Sequence, residues 1–342
     1  MNKAIASLAV VAALALCACA PAQSGQSNNA QTTATTTAVA TTTAQSSLAH
    51  RYASASEGRE LLASNTAYYN GLSQNDIDYR MQKVGATLDE LKAFYAEQVR
   101  DFTTEETKLI DEHLAGMMAK FEKDGYHLPP LDEIVFVKTT MKEECGAGGY
   151  THGTTIYLGS EMLEEWVQGV ADSINPDELL WHEIFHCLTR CNPDFRTSMY
   201  QLINFTTHDK DYTIPASVFE YHISNPDVEH HDSSALFNID GKDIECFCDF
   251  VTTKHFEKPG DNFFASKTTA LVPVDGSDLY YTPEQASNFN DIFGTNTNYV
   301  VDPEECMADN FAYALTYGTA GKDGKGWQSP QIIEGVQATL KS

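Results

Sequence analysis

The segment His182-Glu183-Ile184-Phe185-His186 carries the residue types and spacing that point most directly to chemistry. Residues four apart on a helix lie on one face, so the imidazoles of His182 and His186 can bind one metal ion. Glu183 would then lie beside the metal and could act as a general base toward water. The spacing therefore predicts a two-histidine metal site with an adjacent carboxylate.

Two histidines do not hold a catalytic zinc ion, so a third ligand must come from elsewhere in the chain. Glu305 and Asp309 place two carboxylates one turn apart on another predicted helix. We expect Glu305 to bind the metal and Asp309 to accept a hydrogen bond from the distal N–H of a histidine, with His182 preferred. Glu304 is the nearest alternative ligand, and completing a capping box is the alternative role for Glu305.

Local signals predict the two helices that carry these side chains. Asn175 is a good N-cap, Pro176 suits the first turn, and two acidic residues follow, so a helix should run to about residue 189. Asp302 begins a second segment of the same kind, which should continue to about residue 316.

The rest of the folded part predicts an α+β fold. Residues 49–127 show helical periodicity, including a capping box at 87–90, and form a predicted helical region. Residues 134–138 and 154–158 are β-rich runs within a predicted catalytic domain that spans 128–342. The polar stretch 192–301 has no clear periodicity, and its structure is left open.

The N-terminus predicts export and attachment to a membrane. Residues 1–18 combine Lys3 with a short apolar run, as in a signal peptide, and the residues before Cys19 resemble a bacterial lipobox. Cys19 is therefore the predicted lipidation site, with a plain cleaved signal as the alternative. Residues 19–48 are rich in Thr, Ala, Ser and Gln and lack charge, which predicts a disordered tether. The expected location is the bacterial cell envelope, with the lipid as the membrane anchor.

Charge and cysteine content limit the partners and the compartment. The net charge of −26 makes nucleic acid an improbable partner. Six cysteines follow the predicted signal, and an exported protein meets conditions that permit disulfides, so disulfides are favoured over free buried thiols.

The motifs described above resemble the HExxH gluzincin metallopeptidases, and especially exported bacterial lipoproteins of that type. The resemblance implies a zincin-like fold, a Zn²⁺ cofactor and hydrolysis of peptide bonds in a peptide or protein substrate. The run 154–158 is also similar to the zincin edge strand, so the resemblance implies that it pairs with an extended substrate. The metzincin pattern fails at Thr189 and Asn192, and the aspzincin pattern fails at Asn298.

Two questions about the chemistry remain open at the level of sequence. Hydrolysis needs a group that stabilises the oxyanion, and Tyr299 is the first candidate. The alternative for Tyr299 is that it is simply a packed aromatic side chain. His230 and His231 are weaker candidates for oxyanion stabilisation. Like His208 and His222, these histidines are weaker ligand candidates because nothing fixes their spacing. The competing interpretation is a lipid-anchored binding or scaffold protein with a structural or vestigial zinc site, against which the adjacent Glu183 argues.

Overall fold

The computed structural model describes residues 48–171 and 173–342, which belong to one compact unit. The predicted signal peptide 1–18, Cys19 and the predicted tether as far as residue 47 lie outside the described residues. Within the described ranges, no helix is both long and apolar enough to cross a membrane. Export and lipid anchoring therefore stay predictions.

Helices and two sheets make up the regular structure of this unit. The helices are α1 (Ala55–Ser64), α2 (Thr66–Gly71), α3 (Gln74–Met81), α4 (Leu88–Gln98), α5 (Thr104–Lys123), α6 (Ser160–Gln168), α7 (Pro176–Cys191), α8 (Pro193–Gln201), α9 (Ala216–Phe219), α10 (Phe263–Ser266), α11 (Phe289–Phe293), α12 (Pro303–Thr316) and α13 (Pro330–Thr339). The strands are β1 (His50–Tyr52), β2 (Ile134–Thr139), β3 (Gly149–His152), β4 (Thr155–Gly159), β5 (Thr206–Thr207), β6 (Ser233–Ile239), β7 (Lys242–Thr252) and β8 (Lys267–Pro273). The mixture of helix and sheet agrees with the α+β prediction.

The first sheet has the strand order β1-β2-β4-β3. Strands β1, β2 and β4 are parallel, and β3 pairs with β4 in the antiparallel direction. The expectation that residues 154–158 form an edge strand is wrong, because β4 lies between β2 and β3. The edge is β3, which reverses into β4 through a tight turn where Gly153 has a φ of 58°. This short, glycine-flanked strand carries too weak a pattern to be recognised from sequence.

The second sheet is antiparallel, with the order β5-β6-β7-β8. It is built from the polar stretch 192–301, whose structure the sequence left open. The β6-β7 hairpin turns at Asp240 and Gly241, which both have positive φ. This is typical of a tight hairpin turn of two residues.

Helix α7 begins as its sequence predicts, and its apolar residues pack in the core. The Asn175 side chain accepts a hydrogen bond from the backbone N–H of Glu178, and Pro176 occupies the first turn. Trp181, Phe185 and other apolar residues of α7 lie in the largest hydrophobic core, next to α5 and α12. Burying each such side chain contributes roughly 1.5–3 kcal/mol, so packing fixes the orientation of the helix.

Residues 49–127 are mostly helical, as predicted, with one difference. β1 pairs in register with β2, placing His50 opposite Ile134. Helices α1 and α4 pack against the same sheet in a core that includes Val135 and Val137. This region is therefore part of the same compact unit as the rest of the described chain.

The expectation of disulfides is wrong for the described cysteines. Cys145, Cys187, Cys191, Cys246, Cys248 and Cys306 are all free thiols. Four of them are completely or almost completely buried in the largest core, where they pack as small apolar side chains: Cys187, Cys246, Cys248 and Cys306. The compartment argument alone could not anticipate this packing.

Candidate metal centre

Helices α7 and α12 lie side by side and bring the predicted ligands together. His182, His186 and Glu305 each offer one ligand atom, and these three atoms lie within 4.8 Å of one another. Glu305 Oε2 lies 3.1 Å from His182 Nε2 and 3.7 Å from His186 Nε2. Glu305 is not used as a helix cap, since Asp302 caps α12 by accepting from the N–H of Glu304. The three predicted ligands therefore form one group.

A carboxylate holds the other ring nitrogen of each histidine. His182 Nδ1 lies 2.9 Å from Asp309 Oδ1, which is the role predicted for Asp309. His186 Nδ1 lies 2.9 Å from Glu304 Oε1, so Glu304 supports a histidine and is not part of the ligand group. Such contacts fix the ring orientation and direct both Nε2 atoms toward Glu305.

Negative charge dominates this buried region. Five carboxylates surround the two imidazoles: Glu183, Asp227, Glu304, Glu305 and Asp309. Burial lowers the pKa of His182, but its hydrogen bonds to Asp309 and Glu305 raise that pKa well above its usual value. Burial raises the pKa of Glu305, and the hydrogen bond and charges of the two histidines lower it below its usual value. A divalent cation would compensate this excess of negative charge better than two protons do.

Orphaned atoms also indicate that a cation fits. His186 is fully buried, and its Nε2 atom has no hydrogen-bond partner among the described residues. A buried polar atom without a partner is costly unless a ligand occupies the position next to it. Two imidazoles and a carboxylate match the donor set of a zinc site that keeps an open position.

Glu183 lies next to this group without belonging to it. Its carboxylate is 2 % exposed, and its Oε2 atom has no hydrogen-bond partner in the described structure. A Cβ added at Gly149 of β3 would lie 2.6 Å from Glu183 Oε1, so a larger residue there would displace the carboxylate. Burial raises the pKa of Glu183, and the nearby charge of Asp227 raises it further. Such a group is suited to accept and release a proton.

Asn225 and Asp227 also reach the ligand group, although the sequence offered no sign of them. Glu183, His186 and Asp227 form a second group whose ligand atoms lie within 4.8 Å. Asn225 Nδ2 donates a hydrogen bond to Glu305 Oε1. Both residues come from the stretch 192–301, where no periodicity or motif marked them.

Tyr299 also reaches the ligand group. Its hydroxyl donates to Glu305 Oε1 over 3.3 Å, and its ring stacks near that of His182 at a centroid distance of 6.4 Å. The Nζ atom of Lys267 lies over the Tyr299 ring, 4.7 Å from its centroid. Tyr299 is therefore within the site, where it contacts a predicted ligand.

The remaining candidate histidines lie in other environments. His222 Nδ1 and His231 Nε2 lie 2.7 and 3.2 Å from Asp249 Oδ1, in a separate buried cluster. His230 pairs with Asp211 at the surface, and His208 contacts Ser234. None of these four belongs to a described group of three residues that could hold a metal ion.

Fold and site together define a mixed α/β protein with a buried His-His-Glu group that could hold a metal ion. Comparison with protein-family models, curated proteins and solved structures finds no match for this chain.

Proposed function

We propose that this protein is a zinc-dependent peptidase of the gluzincin type. His182, His186 and Glu305 would hold the ion, and Glu183 would act as general base. The observation that carries this proposal is the position of Glu183, a buried carboxylate beside the ligand group and outside it. A purely structural site has no use for such a group and is normally closed by four protein ligands.

The arrangement of β3 and α7 supports the zincin-like part of the proposal. β3 is an antiparallel edge strand that contacts the helix carrying both histidines. Its outer edge, opposite β4, would pair with an extended peptide that passes in front of His182 and His186 once residues 225–230, which contact this edge, move away. A peptide or protein substrate is therefore proposed.

The side chains divide the chemical work among them. Zinc, when bound there, supplies a Lewis acid that makes water a nucleophile near neutral pH. Glu183 would take a proton from the attacking water and return it to the leaving nitrogen. Asp309 and Glu304 keep both imidazoles oriented. The Tyr299 hydroxyl, held at Glu305, is the proposed donor for the developing negative charge on the substrate oxygen.

The predicted signal and Cys19 extend this proposal to location. We propose an exported protein held at the bacterial cell envelope by a lipid on Cys19. The 48 acidic residues, against 22 basic ones, do not favour binding to nucleic acid.

One observation favours the competing function, a binding or scaffold protein with a structural metal site. Asp227 lies within reach of both His186 and Glu183 and could close the site. The two functions differ in what they require of Glu183, which only the peptidase needs for chemistry.

The test is the Glu183→Gln variant, which keeps the size of the side chain and removes the base. Zinc content, measured by elemental analysis, should stay near the wild-type value, and turnover of a mixed peptide pool should fall by roughly 10²-fold or more. A wild-type protein that holds zinc, cleaves nothing in a diverse pool and is unchanged by the substitution would support the scaffold function instead.

A further inference from the structure

The outer edge of β3 is covered by residues 225–230, here called the 225–230 loop. The N–H and the hydroxyl of Thr151 donate to Asp227 Oδ1 over 2.7 and 2.6 Å. The N–H of Gly153 donates to Glu229 Oε1 over 3.2 Å. Donors two residues apart, one on β3 and one in the turn that follows it, thus meet carboxylates two residues apart on the loop. These carboxylates take the place that the carbonyl groups of a paired strand would occupy.

Arg190 adds a cation to this edge. It lies one turn after His186 on α7, and its Nη1 atom donates to Thr151 Oγ1 and to the carbonyl of Gly153, which fixes it against β3. Its Nη2 atom donates to the carbonyls of Pro226 and Asp227, each over 3.0 Å, and its Nε lies 2.8 Å from Glu229 Oε1. The guanidinium therefore binds both the backbone and a carboxylate of the loop.

The loop also reaches the proposed catalytic groups. Asn225 donates to Glu305, and Asp227 forms a group with Glu183 and His186 within 4.8 Å. An extended peptide that paired with β3 and passed in front of His186 would need the space of this loop. The cleft is thus occupied by the chain itself.

Residues at both ends of the loop are held by arginine side chains, and the middle of the loop borders open space on one side. The N–H of Ser224 donates to Asp76 and its carbonyl accepts from Arg80, which is buried. At the other end, Asp232 pairs with both terminal nitrogens of Arg196 at 2.9 and 2.5 Å. Between these anchors, the loop borders cavities of about 470 and 170 Å³. The loop therefore has fixed ends and open space beside its middle, into which it would move on leaving β3.

We propose that the Thr151–Gly153–Arg190 surface binds extended peptides with acidic side chains at alternate positions, and that the 225–230 loop is its internal occupant. When the loop leaves, the surface presents the N–H group of Thr151 on β3, the N–H group of Gly153 in the turn after it, a hydroxyl and a guanidinium. All are donors, so a ligand must bring carbonyl and carboxylate oxygens. A basic peptide would place like charge against Arg190. The claim that such peptides are substrates rests on the proposed function, whereas the claim that they bind does not.

The test measures peptide binding rather than turnover. All variants carry Glu183→Gln, so that the peptides stay intact. Asp227→Ala/Glu229→Ala removes the internal carboxylates, and Glu257→Ala/Glu334→Ala, at two exposed side chains, is the control with the same charge change. The probes are three fluorescein-labelled peptides in which Ala alternates with Glu, with Gln and with Lys, respectively. Their binding is measured by fluorescence anisotropy.

We expect the loop variant to bind the Glu peptide about tenfold or more tightly than the control, since a hydrogen bond to a charged group is worth roughly 1.5–3 kcal/mol. The Gln and Lys peptides should gain little, and adding Arg190→Gln should abolish the gain. Glu229→Gln, at a partly exposed side chain, should give a smaller gain in the same direction and guards against misfolding of the double variant.

No gain for the Glu peptide in either loop variant would overturn the proposal, as would an equal gain for all three peptides. The outcome is separable from that of the proposed function. A wild-type protein without zinc or turnover, whose loop variant still gains affinity for the Glu peptide, would refute the peptidase and retain the binding surface.

Discussion

Glu304 offers a sharp test of how this site tunes a histidine. Its Oε1 atom accepts from His186 Nδ1 over 2.9 Å and from Thr189 Oγ1 over 2.6 Å. Its Oε2 atom accepts from the hydroxyl of Tyr200 over 2.5 Å. Burial raises the pKa of Glu304, and the hydrogen bond and charge of His186 lower it below its usual value, so the group is ionised at neutral pH. Glu304→Gln removes this charge with little change in shape.

The expected loss follows from the contacts that survive. The glutamine oxygen can still accept from His186 and Thr189, and the Tyr200 hydroxyl can turn to accept from the new amide. What disappears is the charge assistance, since hydrogen bonds to charged groups are worth about 1 kcal/mol more than neutral ones. Zinc affinity should therefore fall about fivefold or more, close to the lower end of the 10–100-fold range typical of such partners.

The assay is a competition titration of zinc against a chromophoric chelator at neutral pH. Tyr200→Phe is the matched control, because it removes a donor from the same carboxylate without touching His186, and its affinity should stay within about threefold of wild type. Unchanged affinity in Glu304→Gln would refute the reasoning that this carboxylate tunes His186. Complete loss of zinc would make Glu304 a ligand, which is the alternative that the sequence left open.

Three further predictions concern the ligand, stability and anchoring. Glu305→Ala should lose zinc on dialysis, as measured by elemental analysis, and tightly held stoichiometric zinc would give the ligand role to another residue. Burial raises the pKa of Asp249, but His222 and His231 lower it to about 2, so its stabilisation is present above about pH 4 and is lost as the pH falls toward 2. The difference in unfolding free energy between wild type and Asp249→Asn should shrink by about 2 kcal/mol across that window in chemical denaturation, and a constant difference would contradict this. Cys19→Ser should move the protein from the membrane fraction to the soluble fraction, and unmodified Cys19 in mass spectra of the wild-type protein would exclude the lipid anchor.

Local sequence determined the parts of the site that lie on single helices. The caps at Asn175 and Asp302 act within a few residues, so both helices begin where the sequence predicts. The spacing of His182 and His186 places both on one helical face, and Glu305 and Asp309 share a face for the same reason. Short-range geometry thus places each pair on one helical face, and the packing of α7 against α12 brings all four residues together.

Only the tertiary structure decided which groups meet across elements. The edge position of β3 depends on strand pairing, and the 154–158 run alone cannot show which of its sides is covered. The support that Glu304 gives to His186 depends on how α12 packs against α7. The placement of Asp227 and Glu229 on β3 depends on a loop without any periodic pattern, because its position is set by anchors at Arg80 and Arg196 that are distant in sequence. Contacts of this kind are fixed by packing and charge pairing in three dimensions, which a one-dimensional pattern does not record.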